Sequence, residues 1–231
     1  NRCWLAPMTN MQSHPDGTLS DVEHAWLLRR AGFGVVEACA AFIGDDGKAA
    51  SLLACACGSG VLNLRMAAPP IAMSQCAHPF SSAALVLEWH VLGMFVPSFF
   101  TGSLIRRFGA LPVMAVGVLL NALCIAVALS GVELMQFLVA LFALGLGWNF
   151  LYIGGTTLFT QAYRPEEKTT AQAAMDTLVM ATMTLTSLGS GALVTTQGWT
   201  WLNLGSIVPV LLIAAALAWL ALRPRAAAAA P

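Results

Sequence analysis

A mainly α-helical integral membrane protein is the fold class this sequence predicts, on three observations. Hydrophobic residues fill 58% of the 231 positions and charged residues 10%, with a mean hydropathy of +0.75, whereas soluble domains carry about 25% charged residues. Charge is also unevenly spread. Of the 11 Lys and Arg and 11 Asp and Glu, ten lie before Ser51 and only twelve serve the rest of the chain. Finally, apolar stretches of about 20 residues, enough to cross roughly 30 Å of hydrocarbon, recur six times.

The expected spans are Leu52–Met73, Ala83–Ile105, Leu111–Leu129, Leu134–Phe159, Ala173–Thr195 and Leu202–Leu222. Their connections are short and their cations alternate: Arg106 and Arg107 follow the second span, Arg164 and Lys168 the fourth, Arg223 and Arg225 the sixth, and the odd-numbered connections hold none. By the positive-inside rule the even connections and both termini are cytoplasmic. The division expected is a polar head over 1–50, a membrane domain over 51–225 and an Ala-rich tail over 226–231.

Zero net charge and the lack of a basic run exclude a nucleic-acid partner. Cys3, Cys39, Cys55, Cys57, Cys76 and Cys124 follow no metal spacing, and Cys55, Cys57 and Cys124 sit in apolar runs where sulfur acts as a small hydrophobe. No metal site is expected. The chain opens on Asn1 without a basic and apolar leader, which reads as a trimmed chain.

The first span is the weakest. Its Leu, Ile and Val residues contribute about −2 to −4 kcal/mol, while Arg65 near its centre costs about +2.5 to +3.5. Arg65 is therefore expected to face a partner or a watery cavity. Pro97 should kink the second span, and Gly145, Gly147, Gly154 and Gly155 in the fourth and Gly189 and Gly191 in the fifth read as close-packing positions.

Between the second and third spans runs Gly102-Ser103-Leu104-Ile105-Arg106-Arg107-Phe108-Gly109. It resembles the G-x-L-x-x-R-x-G loop signature of the major facilitator superfamily (MFS), through Gly102, Leu104, Arg107 and Gly109, with Arg106 where an acidic residue is usual. Pro70–Met73, Glu88-Trp89-His90, Met94–Gly102 and Tyr163-Arg164-Pro165-Glu166-Glu167 extend the likeness. The resemblance implies one six-helix half of such a transporter, built as two inverted three-helix repeats. Its substrate site would lie near midplane, between this half and another.

Intramembrane polar groups are the default candidates for a substrate or ion pathway. Here they are Arg65, Glu88, His90, Asn149, Tyr152 and Asp176. Asn149 and Tyr152 are three apart, so they share a helix face and are expected to point together into a cavity. Glu88 and His90 are two apart and do not. Glu88, His90 and Asp176 are the titratable groups that proton coupling could use.

In the head, Cys3–Met8 and Gly34–Ala40 read as strands. Ser20 with Glu23 makes a capping box opening a helix between them, giving a β-α-β unit. Asn1-Arg2, Ala6-Pro7-Met8-Thr9, Asp16-Gly17, Arg30 and Gly32–Ala40 resemble the opening of the old yellow enzyme family, FMN-dependent ene-reductases and NADH:flavin oxidoreductases on a TIM barrel. That resemblance would place Pro7, Met8, Thr9 and Ala40 against the flavin. Two strands cannot close a barrel whose ligand loops come from all eight, so no cofactor is expected and no catalytic residue is assigned. The leading functional reading is a transporter half in a bacterial inner membrane, moving a small molecule with a second six-helix half or as a homodimer. The alternatives are an oxidoreductase remnant and an inactive fusion.

Overall fold

The computed structural model describes residues 4–5, 35–36, 45–163 and 168–222. In the head, β1 (Trp4–Leu5) and β2 (Val35–Val36) pair in parallel, Trp4 opposite Val35 and Leu5 opposite Val36. The helix expected between them lies outside the described residues, as do Pro7, Met8, Thr9, Ala40, Arg164, Arg223, Arg225 and the tail.

Nine helices among the described residues build six spans: α1 (Asp45–Met66) with α2 (Pro69–Gln75), α3 (Phe80–Phe95) with α4 (Ser98–Phe108), α5 (Ala110–Ser130), α6 (Leu134–Thr160), α7 (Lys168–Thr196), and α8 (Gly198–Gly205) with α9 (Ile207–Leu222). Each is long and apolar enough to cross a membrane, and together they run over the six stretches read from hydropathy. The first helix starts at Asp45 and continues without a break through Ser51, where the sequence placed the end of the head.

Proline decides where three spans break. A proline lacks the N–H that would bond the carbonyl four residues back, so Pro69, Pro97 and Pro209 release the carbonyls of Arg65, Gly93 and Gly205. The breaks fall between α1 and α2, at Val96–Pro97, and at Ser206. Neighbours help to satisfy the loosened turns: Ser190 Oγ of the fifth span donates to the Leu64 carbonyl at 2.7 Å, and Asn149 Nδ2 of the fourth donates to the Met94 carbonyl at 2.7 Å.

The spans pack with an internal two-fold pattern. The first touches the fourth, fifth and sixth, and the fourth touches the first, second and third. Exchanging spans one to three with four to six maps these contacts onto each other, in keeping with inverted repeats, although the first span also touches the second. The first and fourth spans form the centre, each 61% buried, while the fifth is 17% buried.

Close approach at the centre uses glycine. A Cβ at Gly145 would meet the His90 carbonyl at 2.6 Å, and one at Gly117 would meet the Gly147 carbonyl at 2.8 Å. Gly154 and Gly155 likewise abut Met114 and Cys55. Gly189 and Gly191 depart from the expectation, since nothing lies within 4 Å of either on the exposed fifth span. Around these contacts Phe137, Leu141, Leu144, Met73 and Val86 make the largest core cluster.

Candidate functional site

Three of the six polar candidates are sealed inside the bundle. Arg65, 1% exposed, donates through Nη2 to Asn203 Oδ1 at 2.6 Å and the Cys124 carbonyl at 3.2 Å, joining the first, sixth and third spans. Its Nε and Nη1 have no hydrogen-bond partner among the described residues. The arginine faces partner helices as expected, and its partners are neutral dipoles. No carboxylate reaches it among the described residues.

Asn149 is the second sealed group, and it is fully employed. Its Nδ2 donates to the Met94 carbonyl and Ser98 Oγ, and its Oδ1 accepts from Thr101 Oγ1, each at 2.7 Å. All three partner atoms lie around the Pro97 break, so the amide splints the kink in the second span. His90 is the third. Its Nδ1 lies 2.7 Å from the Leu141 carbonyl and must be the donor there, because a carbonyl only accepts; Nε2 has no partner among the described residues.

The other three candidates are less enclosed. Glu88 and Asp176 are exposed and Tyr152 is half-buried. Tyr152 does not join Asn149. Its ring stacks on Trp148, one helical turn earlier, with centroids 4.9 Å apart and an 18° interplanar angle. The indole N–H of Trp148 donates to Ser59 Oγ on the first span at 3.2 Å. Beside this cluster, Asn63 Nδ2 donates to the Met183 carbonyl at 2.6 Å and binds the first span to the fifth.

The expectation that Asn149 and Tyr152 share a cavity thus gives way to two environments. Three residues on a helix advance the face by about 300°, leaving the pair about 60° apart, which is enough for Asn149 to meet the second span while Tyr152 meets the first and fifth. Sequence reasoning also passed over Trp148 and Asn203. Trp148 carried a usable signal, since it stands four before Tyr152; Asn203 carried none, because it lies 138 positions from Arg65.

A second open feature is a groove of about 340 Å³ between the second and fourth spans, lined by Trp89, Leu92, Phe100, Phe142 and Leu146 among other apolar residues. It offers volume without a polar atom to orient a solute.

In the loop signature, Gly109 is the whole connection between α4 and α5, at φ 89°, where a side chain would be strained. Gly102 has open space around it and Leu104 is half-buried. Arg107 lies with its Cζ 5.2 Å from the Phe108 ring centroid, and Arg106 Nη2 donates to Ser103 Oγ at 3.0 Å. At the same end, outside the spans, burial pushes the Tyr163 phenol above its ordinary value.

Comparison with known proteins fits this architecture. The family model described as Major Facilitator Superfamily matches residues 50–231. The chain belongs to the major facilitator superfamily. It is 39% identical over 179 residues to a riboflavin transporter of Brucella anthropi, covering 78% of this chain and 45% of that protein. It is also 32% identical over 151 residues to an uncharacterized MFS-type transporter, YdeG, of Bacillus subtilis, covering 64% of this chain and 35% of that one. This superfamily member therefore spans less than half the length of these relatives. No solved structure matches it. The oxidoreductase likeness of the head finds no support among these matches, and the family model begins at residue 50.

Proposed function

We propose that the chain is one six-helix half of a major facilitator transporter that carries a small solute across a bacterial inner membrane, with both termini cytoplasmic. The observation that carries this reading is the family match over the whole helical bundle, joined to the inverted-repeat packing of its six spans. The relative that transports riboflavin makes riboflavin the first cargo to test.

A second half completes the pathway, either a separate six-helix chain or a second copy of this one. The second and fifth spans leave large apolar side chains uncovered, among them Phe99, Leu185 and Leu188, and lipid or a partner helix must cover them. Asp176 and Glu88, both exposed, and the half-buried Tyr152 are the groups that would meet solute or protons. Arg65, His90 and Asn149 act from inside the bundle, holding the spans whose relative movement alternates access. Gly102, Leu104, Arg107 and Gly109 set the tight inner turn. The head contributes no FMN chemistry to this reading.

The test is riboflavin uptake into cells and proteoliposomes, with the chain alone and with the N-terminal half of the Brucella anthropi riboflavin transporter co-expressed. Uptake that requires both halves is expected. No uptake in either arm, with the chain shown to be inserted, would overturn the reading. Cysteine labelling of the Arg106 and Lys168 connections should find both on the cytoplasmic side.

A further inference from the structure

We propose that Asn63, on the first span, sets specificity in the transport pathway by presenting its Oδ1 as a fixed hydrogen-bond acceptor for an N–H or O–H donor of the solute. This deepens the transporter reading above and rests on it.

The amide is locked in one orientation. Asn63 Nδ2 donates to the Met183 carbonyl at 2.6 Å and to Thr186 Oγ1 at 3.3 Å, both on the fifth span, which uses both of its hydrogens. Flipping the amide would set Oδ1 against the Met183 carbonyl, acceptor facing acceptor. Thr186 Oγ1 can accept from Asn63 because its own hydrogen goes back to the Thr182 or Met183 carbonyl, at 2.8 and 3.1 Å. Oδ1 is left as the end of the side chain that accepts from nothing among the described residues.

Its surroundings are rigid. A Cβ at Gly60, one turn earlier, would meet the Thr182 methyl at 2.8 Å, so the first and fifth spans touch there. On the next residue after Asn63, the Leu64 carbonyl accepts from Ser190 Oγ at 2.7 Å. Asn63 is thus held between two ties, and its acceptor is placed before a solute arrives. The position is also open. Asn63 and Thr186 are both half-buried, and the sealed, unpartnered side-chain atoms among the described residues belong to Arg65 and His90, so Oδ1 is accessible. An accessible acceptor facing hydrocarbon would go unsatisfied, which membrane segments avoid, and the notch therefore faces a watery pathway.

A fixed acceptor selects by what it would leave unpaired. A solute that brings a donor satisfies Oδ1, whereas an analogue without it covers the oxygen and makes no bond. Riboflavin carries such donors on its ring imide and its ribityl hydroxyls. The apolar groove between the second and fourth spans offers no such acceptor.

Flavin binding is read by fluorescence quenching in lipid nanodiscs that hold the full chain with the N-terminal half of the uptake assay. Probes are riboflavin, 3-methylriboflavin, which lacks the imide N–H, and lumiflavin, which lacks the ribityl hydroxyls. In the natural chain at least one analogue should bind about tenfold more weakly than riboflavin. Asn63→Leu should shrink that gap to about twofold or less. Ser190→Ala removes the neighbouring tie without touching the acceptor, and should leave the ratios among the three flavins within about twofold of the natural ones. A second readout does not depend on cargo. Asn63→Cys, treated with a membrane-impermeant maleimide in intact cells and in inside-out vesicles and read by mass spectrometry, should label from at least one side as the exposed Cys76 does and unlike the buried Cys124.

No labelling at position 63 from either side overturns the open acceptor. So do analogues that bind as tightly as riboflavin in the natural chain, and so does a gap that Asn63→Leu leaves unchanged; the transporter reading stands in each case. Labelling at position 63 with no flavin bound would break the riboflavin reading of the cargo and leave the acceptor in place.

Discussion

The fourth and fifth spans are similar in length and both carry polar groups, yet they treat polarity in opposite ways. In the fourth span, 61% buried, Asn149 spends both ends of its amide on the kink of the second span. In the fifth, 17% buried, Asp176 faces outward and makes no ion pair among the described residues. An intramembrane polar residue is therefore not a site by its chemistry alone. What decides is whether the bundle has already consumed its hydrogen bonds.

Glycine gives the sharpest way to break that contrast. Gly145→Val would drive methyl groups into the His90 carbonyl and the Met94 amide, costing about 3 kcal/mol at the upper range for overpacking. Chemical unfolding of the purified protein in mild detergent measures this directly. Asn149→Leu comes next. It strands three partners inside the bundle, and with membrane hydrogen bonds worth about 0.6 kcal/mol on average, a loss near 2 kcal/mol is expected in the same assay.

Arg65→Met sharpens the comparison further. Removing a buried cation that has no carboxylate partner among the described residues relieves desolvation while it forfeits the bonds to Asn203 and Cys124, so stability should move by less than about 1 kcal/mol. Uptake should nonetheless fall, since the guanidinium joins three spans. A large stability loss would make Arg65 a structural clamp only. The smallest effect is Gly189→Ala: nothing lies within 4 Å of its Cβ position, and alanine's better helix propensity should stabilise by about 0.5 kcal/mol. If Gly189→Ala instead abolished uptake with the second half present, the exposed face of the fifth span would be a close helix contact in the assembled transporter.

The six spans were legible because crossing a bilayer is a local demand, met by about 20 consecutive apolar residues. Pro97 was legible for the same reason, as a missing N–H acts within one turn. Gly109 was legible from its motif, and its φ of 89° shows why glycine stands there. The break at Pro69 followed the same rule but sat near the end of a span, where hydropathy gives no cue. The polar candidates could be named without being sorted. His90 and Glu88, two residues apart, ended up fully buried and exposed, and Trp148 was missed because its value lies in the ring it stacks on.

Composition, hydropathy and one short motif were enough for the solvent, the number of crossings and the tight turn at Gly109, since these depend on transfer free energies and backbone sterics within a few residues. The tertiary structure alone decided that Arg65 meets Asn203, that Asn149 serves Pro97, and that Asp176 stays exposed. Hydrogen bonds saturate, and which donor finds which acceptor is settled only when helices far apart in the chain are brought side by side.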